Sequence, residues 1–221
     1  MEGLSGAGRA PLDAQPHDLL RLRAGELPEA EAGAPLPGWA RRALERAPWV
    51  VVRRGCAAPG GLAVGIRGEA RRERLAARVR PEQTAGRVTP YELAERRVWR
   101  GLPRLGEIAA LRALDAAADH WDRLGLVWGP AGGAGFELAT GTPVCRPSSD
   151  LDVVVLLSGR IAPEEARRIL DVPGRGAEDS RLDVQGLSPR GGFALAEYAR
   201  GGSVLLKTAQ GPKLTADPWE A

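Results

Sequence analysis

The run "VVVLL" at residues 153–157 sets five apolar residues in a row, directly after Asp150, Leu151 and Asp152. A short apolar run rich in valine indicates a buried strand. Successive side chains of a strand alternate between its two faces, so Asp150 and Asp152 point to one side with Cβ atoms about 7 Å apart, and Leu151 points to the other. The fold must therefore accommodate two acids on one face at the start of a core strand.

A divalent cation is the usual partner for such a pair of acids. Two carboxylates on one face repel each other, and Mg²⁺ is commonly bound by one or two carboxylates together with substrate phosphates. A third acid, Asp183 in "RLDVQ", falls on a later predicted strand. Three carboxylates at one sheet edge can hold two metal ions about 3.5–4 Å apart, the chemistry of nucleotidyl transfer. The structural alternative is that Asp150 caps a turn with Ser148 and Ser149 while Asp152 is an exposed strand end.

A glycine-rich stretch, "GPAGGAG", lies upstream of the acids. It follows the short strand "LVW" and is predicted to be a turn that opens into the helix "FELATG", which Gly141 ends. Glycines let backbone N–H groups approach phosphate oxygens, and a helix N-terminus adds a favourable field. A turn of this composition therefore suits a phosphate group, and we expect Trp128 and Phe136 to belong to the core.

The rest of the chain alternates helical and extended patterns. We predict helices at "LPGWARRALERAP", "APEEARRIL" and "GGFALAEYARGG", and strands at "WVVVRR", "GLAVGIRG", "RLDVQG" and, as the last element, "SVLLKT". The stretch "RVRPEQTAGRVTPYEL" supplies turn residues, and a longer helix with an apolar stripe from Leu105 to Trp121 ends at Gly125. The pattern predicts a sheet covered by helices, of the α/β or α+β class, with a flexible tail at 1–16, a small α+β N-terminal domain at 17–85 and a second domain at 86–221.

Composition excludes several function classes. The formal charge is +3 with arginines scattered along the chain, so we expect no nucleic-acid partner. With two cysteines, Cys56 and Cys145, and two histidines, a zinc site or disulfide framework is not expected. We interpret Cys145 as a small buried thiol, the alternative being a nucleophile. No apolar run reaches the roughly 18 residues of a membrane span, and the N-terminus lacks a signal-peptide core, so we expect a cytoplasmic protein with no membrane partner.

The order of glycine turn, helix, D-x-D strand and later aspartate resembles the nucleotidyltransferase superfamily of DNA polymerase beta and the aminoglycoside nucleotidyltransferases. The string "WGPAGGAGFELATGTPVCRPSSDLDVVVLL", with "PHDLLRL", "RLDVQ", "GGFALAEYARGG" and "VLLKTAQGPKLTADPW", resembles a narrower family. This is the phosphoribosyl-dephospho-CoA transferase of malonate decarboxylase, its holo-acyl-carrier-protein synthase. The resemblance runs from about residue 17 to 219. It implies an α+β fold in which residues 86–221 form the catalytic domain, a polymerase-beta-like nucleotidyltransferase domain with a mixed sheet and helices.

The resemblance implies a reaction and its partners. A serine hydroxyl of the apo acyl-carrier subunit attacks the α-phosphorus of triphosphoribosyl-dephospho-CoA, and diphosphate leaves. By motif position Asp150 and Asp152 would bind Mg²⁺, while Asp183 would complete the metal site or accept the serine proton. The Gly132–Gly133 turn would hold the triphosphate. Superfamily members usually carry Gly-Ser there, and the missing hydroxyl removes one phosphate hydrogen bond, on the order of 1 kcal/mol or somewhat more.

Further polar residues complete the predicted substrate site. Ser149 is assigned to it, and Arg146, Lys207 and Lys213 are candidates to neutralise phosphates, each with a solvated surface charge as its alternative. Two other functions stay open: a nucleotidyltransferase acting on another carrier or a small molecule, and a non-catalytic subunit that holds the carrier. The three aspartates speak against the second, because unpaired acids at a sheet edge are costly without a cation.

Overall fold

The computed structural model describes residues 13–31, 33–55, 60–70, 72–173 and 180–220. Cys56 and most of the predicted tail lie outside these ranges. The chain divides into one unit of residues 1–89 with 139–142 and another of residues 90–138 with 143–221. No helix in the described part of the chain is long and apolar enough to cross a membrane.

The first unit is built on an antiparallel sheet with strand order β2-β5-β4-β3-β1-β6. The predicted strands "WVVVRR" and "GLAVGIRG" and the helix in "LPGWARRALERAP" are confirmed. The stretch predicted to supply turns also contains β6, because its weakly patterned residues pair with β1. The elements are β1 (Leu19–Leu22), β2 (Glu29–Ala30), α1 (Gly38–Arg46), β3 (Trp49–Val52), β4 (Leu62–Arg67), β5 (Arg74–Val79) and β6 (Thr84–Val88).

The second unit contains a mixed sheet with strand order β12-β11-β10-β9-β8-β7. Strands β8 and β9 are parallel and the other neighbours are antiparallel, so the α+β prediction is confirmed. The elements are α2 (Pro90–Arg96), α3 (Ala109–Arg123), β7 (Val127–Pro130), α4 (Gly132–Thr140), β8 (Leu151–Leu156), α5 (Pro163–Leu170), β9 (Leu182–Ser188), β10 (Gly191–Ala194), α6 (Leu195–Arg200), β11 (Val204–Thr208) and β12 (Gly211–Thr215).

Helices α3 and α6 pack on one face of the mixed sheet. Trp121 of α3 packs on Trp128 of β7 with ring centroids 4.8 Å apart, and Phe193 of β10 meets Tyr198 of α6 at 5.5 Å. Leu151 points into this core and is fully buried. The predicted burial of Trp128, Phe136 and Cys145 is confirmed.

Three predicted elements differ from the structure. The long helix starts only at Ala109, because two 3-10 turns, Val98–Gly101 and Pro103–Gly106, precede it, so Leu105 is not part of its stripe. The segment "GGFALAEYARGG" is strand for its first four residues, since these pair with β9 before α6 begins. "SVLLKT" is not the last strand, because β12 pairs with it in a hairpin.

Candidate functional site

Asp152 and Asp183 are neighbours on adjacent strands. They are register partners in the parallel pair β8–β9, and aligned residues of paired strands project from the same face. Asp150 immediately precedes β8, two residues from Asp152. Asp183 is exposed, while Asp150 and Asp152 are half-buried. All three acids therefore lie at the beginnings of two adjacent strands.

Gly132 packs directly against the Asp152 side chain. A Cβ at position 132 would overlap Asp152 Oδ2 and lie 2.6 Å from its Cγ and 2.9 Å from its Cβ. Gly132 also has φ +56°, a left-handed conformation that favours glycine. The neighbouring Ala131 N–H donates to the Asp152 carbonyl at 2.8 Å. The glycine-rich segment and the acid motif are thus in contact.

The glycines occupy the first turn of a helix and not a turn before it. Helix α4 begins at Gly132, so Gly133 already lies within it and is half-buried. The prediction that the whole glycine stretch is a turn was wrong, because Pro130 ends β7 and the chain becomes helical two residues later. The predicted helix end at Gly141, with φ +70°, is confirmed.

A hydrogen-bonded turn leads into the acid motif. The Ser149 hydroxyl accepts the Arg146 N–H at 2.9 Å, and the Ser149 N–H donates to the Arg146 carbonyl at 2.9 Å. The Ser180 hydroxyl donates to the Ser149 carbonyl at 3.0 Å. Ser149 therefore helps to shape the turn, and its hydroxyl can still donate its own proton. The Arg146 side chain is exposed.

A buried acid that sequence reasoning missed lies on α4. Glu137 is 4% exposed, and its Oε1 accepts from Arg104 Nη1 at 2.7 Å. Its Oε2 accepts the N–H groups of Val144 and Cys145 at 2.8 and 2.7 Å. Arg104 Nη2 donates to the Cys145 carbonyl at 2.8 Å. The available signal was a lone acid in the otherwise apolar helix "GFELA", since a buried carboxylate needs partners.

The sheet face that carries the acids also presents exposed apolar side chains. Leu156 lies four residues after Asp152 on β8, and it pairs with Val127 of β7. The register carries the same face across β9 and β10 to Leu205 of β11 and its partner Leu214 of β12. These four residues, which we call the apolar band, are all exposed.

The two candidate lysines lie on opposite sides of the sheet. Lys207 is on the acid-bearing face and is aligned through the strand register with Leu156, about 13 Å along the strands from the row of Asp152. Lys213 pairs with Leu206, whose side chain is fully buried on the helix-covered side. Only Lys207 therefore shares a face with the acids.

The donor groups at this corner suit a hard cation. Mg²⁺ prefers oxygen ligands and usually takes one or two from carboxylates, with water and phosphate oxygens supplying the rest. Within the described ranges, no group of three or more His, Cys, Asp or Glu side chains is placed so as to hold a metal ion. Arg181 Nη2 lies 3.2 Å from Asp183 Oδ1, and its charge offsets repulsion between Asp183 and Asp152.

Similarity to known proteins extends over both units. Residues 97–218 match the family model for the C-terminal domain of the phosphoribosyl-dephospho-CoA transferase MdcG, and residues 15–90 match its N-terminal domain. No solved structure gives a significant match.

Curated relatives carry the same name, phosphoribosyl-dephospho-CoA transferase. One from Pseudomonas putida (strain W619) is 41% identical over 206 residues, 93% of this chain and 95% of that protein. One from Pseudomonas aeruginosa is 38% identical over 207 residues, 93% of each chain. One from Azotobacter vinelandii is 38% identical over 211 residues, 93% of this chain and 94% of that protein. The chain therefore belongs to the phosphoribosyl-dephospho-CoA transferase family, whose members are transferase enzymes.

Proposed function

We propose that this protein transfers the phosphoribosyl-dephospho-CoA group from triphosphoribosyl-dephospho-CoA to a serine of the apo acyl-carrier subunit of malonate decarboxylase. One observation carries the proposal: Asp152 and Asp183 are aligned on one sheet face, with Gly132 packed on Asp152. This arrangement provides carboxylates for a cation beside a helix N-terminus that can receive phosphate. The names of the relatives supply the identity of the transferred group.

The reaction is a substitution at the α-phosphorus of the donor. The serine Oγ forms a bond to that phosphorus, the bond to the bridging oxygen of the diphosphate breaks, and diphosphate leaves with the bonding electrons. Asp183 is exposed beside Asp152, and we assign it to accept the serine proton or to complete the metal site. Asp150 and Asp152 would hold Mg²⁺, which offsets phosphate charge and favours the ionised hydroxyl when bound.

Other residues orient the donor. The backbone N–H groups at Gly132 and Gly133 are assigned to the triphosphate, because the first N–H groups of a helix have no partner within it. Arg146 and Ser149, in the turn before the acids, are assigned to phosphate oxygens. Lys207, farther along the same face, is assigned to the phosphates of the dephospho-CoA part of this long donor.

The apolar band favours a protein acceptor over a small molecule. Val127 pairs with Leu156, and Leu205 pairs with Leu214, on the face that carries the acids. Exposed apolar patches of this kind are typical of protein interaction surfaces. A small-molecule acceptor would contact only the acid corner, whereas a carrier protein that delivers its serine to Asp183 also covers the neighbouring face.

The test is release of diphosphate from the donor in the presence of Mg²⁺ and apo carrier. We expect release with the intact carrier, none with a carrier whose acceptor serine is replaced by alanine, and at least a 100-fold loss with Asp152→Asn. Asp119→Asn is the matched control, because Asp119 is an exposed helix residue that pairs with Arg100. Equal release with the serine-free carrier would overturn the assigned acceptor, and full activity of Asp152→Asn would overturn the assigned site.

A further inference from the structure

We propose that Glu137 and Arg104 are positioning residues that set the location of the acid motif relative to the phosphate-binding end of α4. The inference rests on the proposed function for its catalytic meaning. It assigns a role to an ion pair, with a buried carboxylate, that the reaction itself does not use. Glu137 is 4% exposed and Arg104 about one-third exposed, at 2.7 Å from each other.

Glu137 and Arg104 hydrogen-bond to the backbone N–H and the carbonyl of the same residue, Cys145. Glu137 Oε2 accepts the Cys145 N–H at 2.7 Å, and Arg104 Nη2 donates to the Cys145 carbonyl at 2.8 Å. The Val144 N–H adds a third bond, to the same carboxylate oxygen, at 2.8 Å. An ionised acceptor and an ionised donor make these bonds stronger than neutral ones. Residues 144 and 145 are thereby fixed to α4 although they belong to no helix or strand.

The hydrogen bonds to Cys145 also affect the position of the acid motif, because only four residues separate Cys145 from Asp150. After Cys145 comes the turn closed by Arg146 and Ser149, whose carbonyl accepts from the Ser180 hydroxyl at 3.0 Å. Asp150 follows at once, and the Leu151 N–H then donates to the Arg181 carbonyl at 2.9 Å. Hydrogen bonds at Arg146 and Ser149 close the turn between Cys145 and Asp150, so we expect a displacement of Cys145 to shift the acid motif.

Helix α4 thus contacts the acid segment at two points. Gly132 touches Asp152 at its first residue, and Glu137 holds Cys145 five residues later, about 7.5 Å along the helix axis. A rigid helix that contacts both ends of the segment keeps the backbone donors of Gly132 and Gly133 at a fixed distance from Asp150 and Asp152. This is the relation that simultaneous binding of a cation and the donor phosphates requires.

Glu137→Gln tests the role with nearly unchanged shape. The amide presents one oxygen where the carboxylate presents two, so it cannot accept from Arg104 and from both backbone N–H groups. We expect hydrogen exchange at Val144 and Cys145 to accelerate at least tenfold. We also expect the Mg²⁺ concentration for half-maximal transfer to rise about tenfold, the effect typical of lost support around a metal site, with a smaller change in kcat at saturating Mg²⁺.

Asp115→Asn is the matched control. Asp115 also pairs with an arginine and a side-chain donor, accepting from Arg100 Nε at 2.7 Å and Trp99 Nε1 at 2.9 Å, but on α3. It should lose stability without altering exchange at Val144 or the Mg²⁺ requirement. If Glu137→Gln does not fold, Arg104→Lys decides the matter, because it keeps the charge and loses the fork that reaches both Glu137 and Cys145.

The outcomes distinguish a failure of the positioning role from a failure of the proposed function. If the folded variant exchanges at the wild-type rate, or has the wild-type Mg²⁺ requirement, the positioning role is wrong. If the wild-type enzyme transfers nothing to the carrier, the proposed function fails. The positioning role is then tested by hydrogen exchange at Val144 and Cys145 and by Mn²⁺ binding, measured as loss of the free-Mn²⁺ signal in electron paramagnetic resonance. Equal Mn²⁺ affinity of wild type and Glu137→Gln would overturn it.

Discussion

Gly132→Ala perturbs the contact on which the site depends. The new methyl group would overlap Asp152 Oδ2 and lie 2.6 Å from Cγ, so Cγ must retreat by about 0.8 Å to reach an ordinary contact of 3.4 Å. A shift of this size in a catalytic group costs about 100-fold in rate. The left-handed φ of +56° adds roughly 1–2 kcal/mol of strain for alanine. We therefore expect kcat/KM for carrier modification to fall about 100-fold, with a Tm lowered by about 2–8 °C.

Gly125→Ala separates the contact from the strain. Gly125 ends α3 with φ +68°, and a Cβ there meets no atom within 4 Å. An alanine at this position is strained by its positive φ to a similar degree. The Tm should therefore fall by a similar amount, while kcat/KM stays within about twofold of wild type. Steady-state transfer kinetics and thermal unfolding, followed by circular dichroism, provide both quantities. Near-wild-type activity of Gly132→Ala, or an equal activity loss in Gly125→Ala, would show that the contact between Gly132 and Asp152 does not control the reaction.

Three further predictions address charge, phosphate binding and acid stability. Lys207→Ala should raise the donor KM about tenfold, because a charged contact to a phosphate is lost. Lys213→Ala, on the opposite side of the sheet, should leave the donor KM unchanged. Equal effects of the two variants in transfer kinetics would contradict an assignment of Lys207 that is based on the strand register. Gly133→Ser should lower the donor KM by up to about tenfold by restoring a hydroxyl near the phosphates, and an unchanged KM would show that the hydroxyl does not reach them. Burial raises the pKa of Asp115, but the hydrogen bond from Arg100 helps to outweigh this and holds the pKa below its ordinary value. Such a carboxyl stabilises the fold above its unfolded pKa and loses that contribution as pH falls through the folded pKa. In urea titrations below about pH 4, the free energy of unfolding of Asp115→Asn should therefore fall less steeply with falling pH than that of wild type. An equal slope for the two proteins would contradict this.

The placement of Asp152 was predictable because it depends on local period-two geometry. The apolar run after Asp152 indicated a buried strand, and that strand is β8, which lies between the edge strand β7 and β9. The side-by-side alignment of Asp152 with Asp183 was not predictable, because strand order and register arise from pairing between distant segments. The sequence indicated Asp183 as a third acid on a later strand, and the fold shows that its register partner is Asp152.

The errors share a physical cause. Phe193 and its neighbours were predicted as part of the helix "GGFALAEYARGG", yet pairing with β9 makes residues 191–194 a strand. β12 has no apolar periodicity and contains Pro212, so only its hairpin with β11 defines it. The role of Glu137 depends on Arg104, which lies 33 residues earlier in the chain. Each of these features is determined by long-range contacts that local patterns do not encode.

Intact mass measurement of the carrier tests the central claim most directly. Apo carrier is incubated with Mg²⁺, triphosphoribosyl-dephospho-CoA and either wild-type protein or the Asp150→Asn or Asp152→Asn variant, each verified as folded by circular dichroism. We expect wild type to add the mass of one phosphoribosyl-dephospho-CoA group to the carrier serine, EDTA to abolish the addition, and both variants to fail to add it. An unchanged carrier mass with wild type, or full modification by either variant, would rule out the proposed transfer at this site.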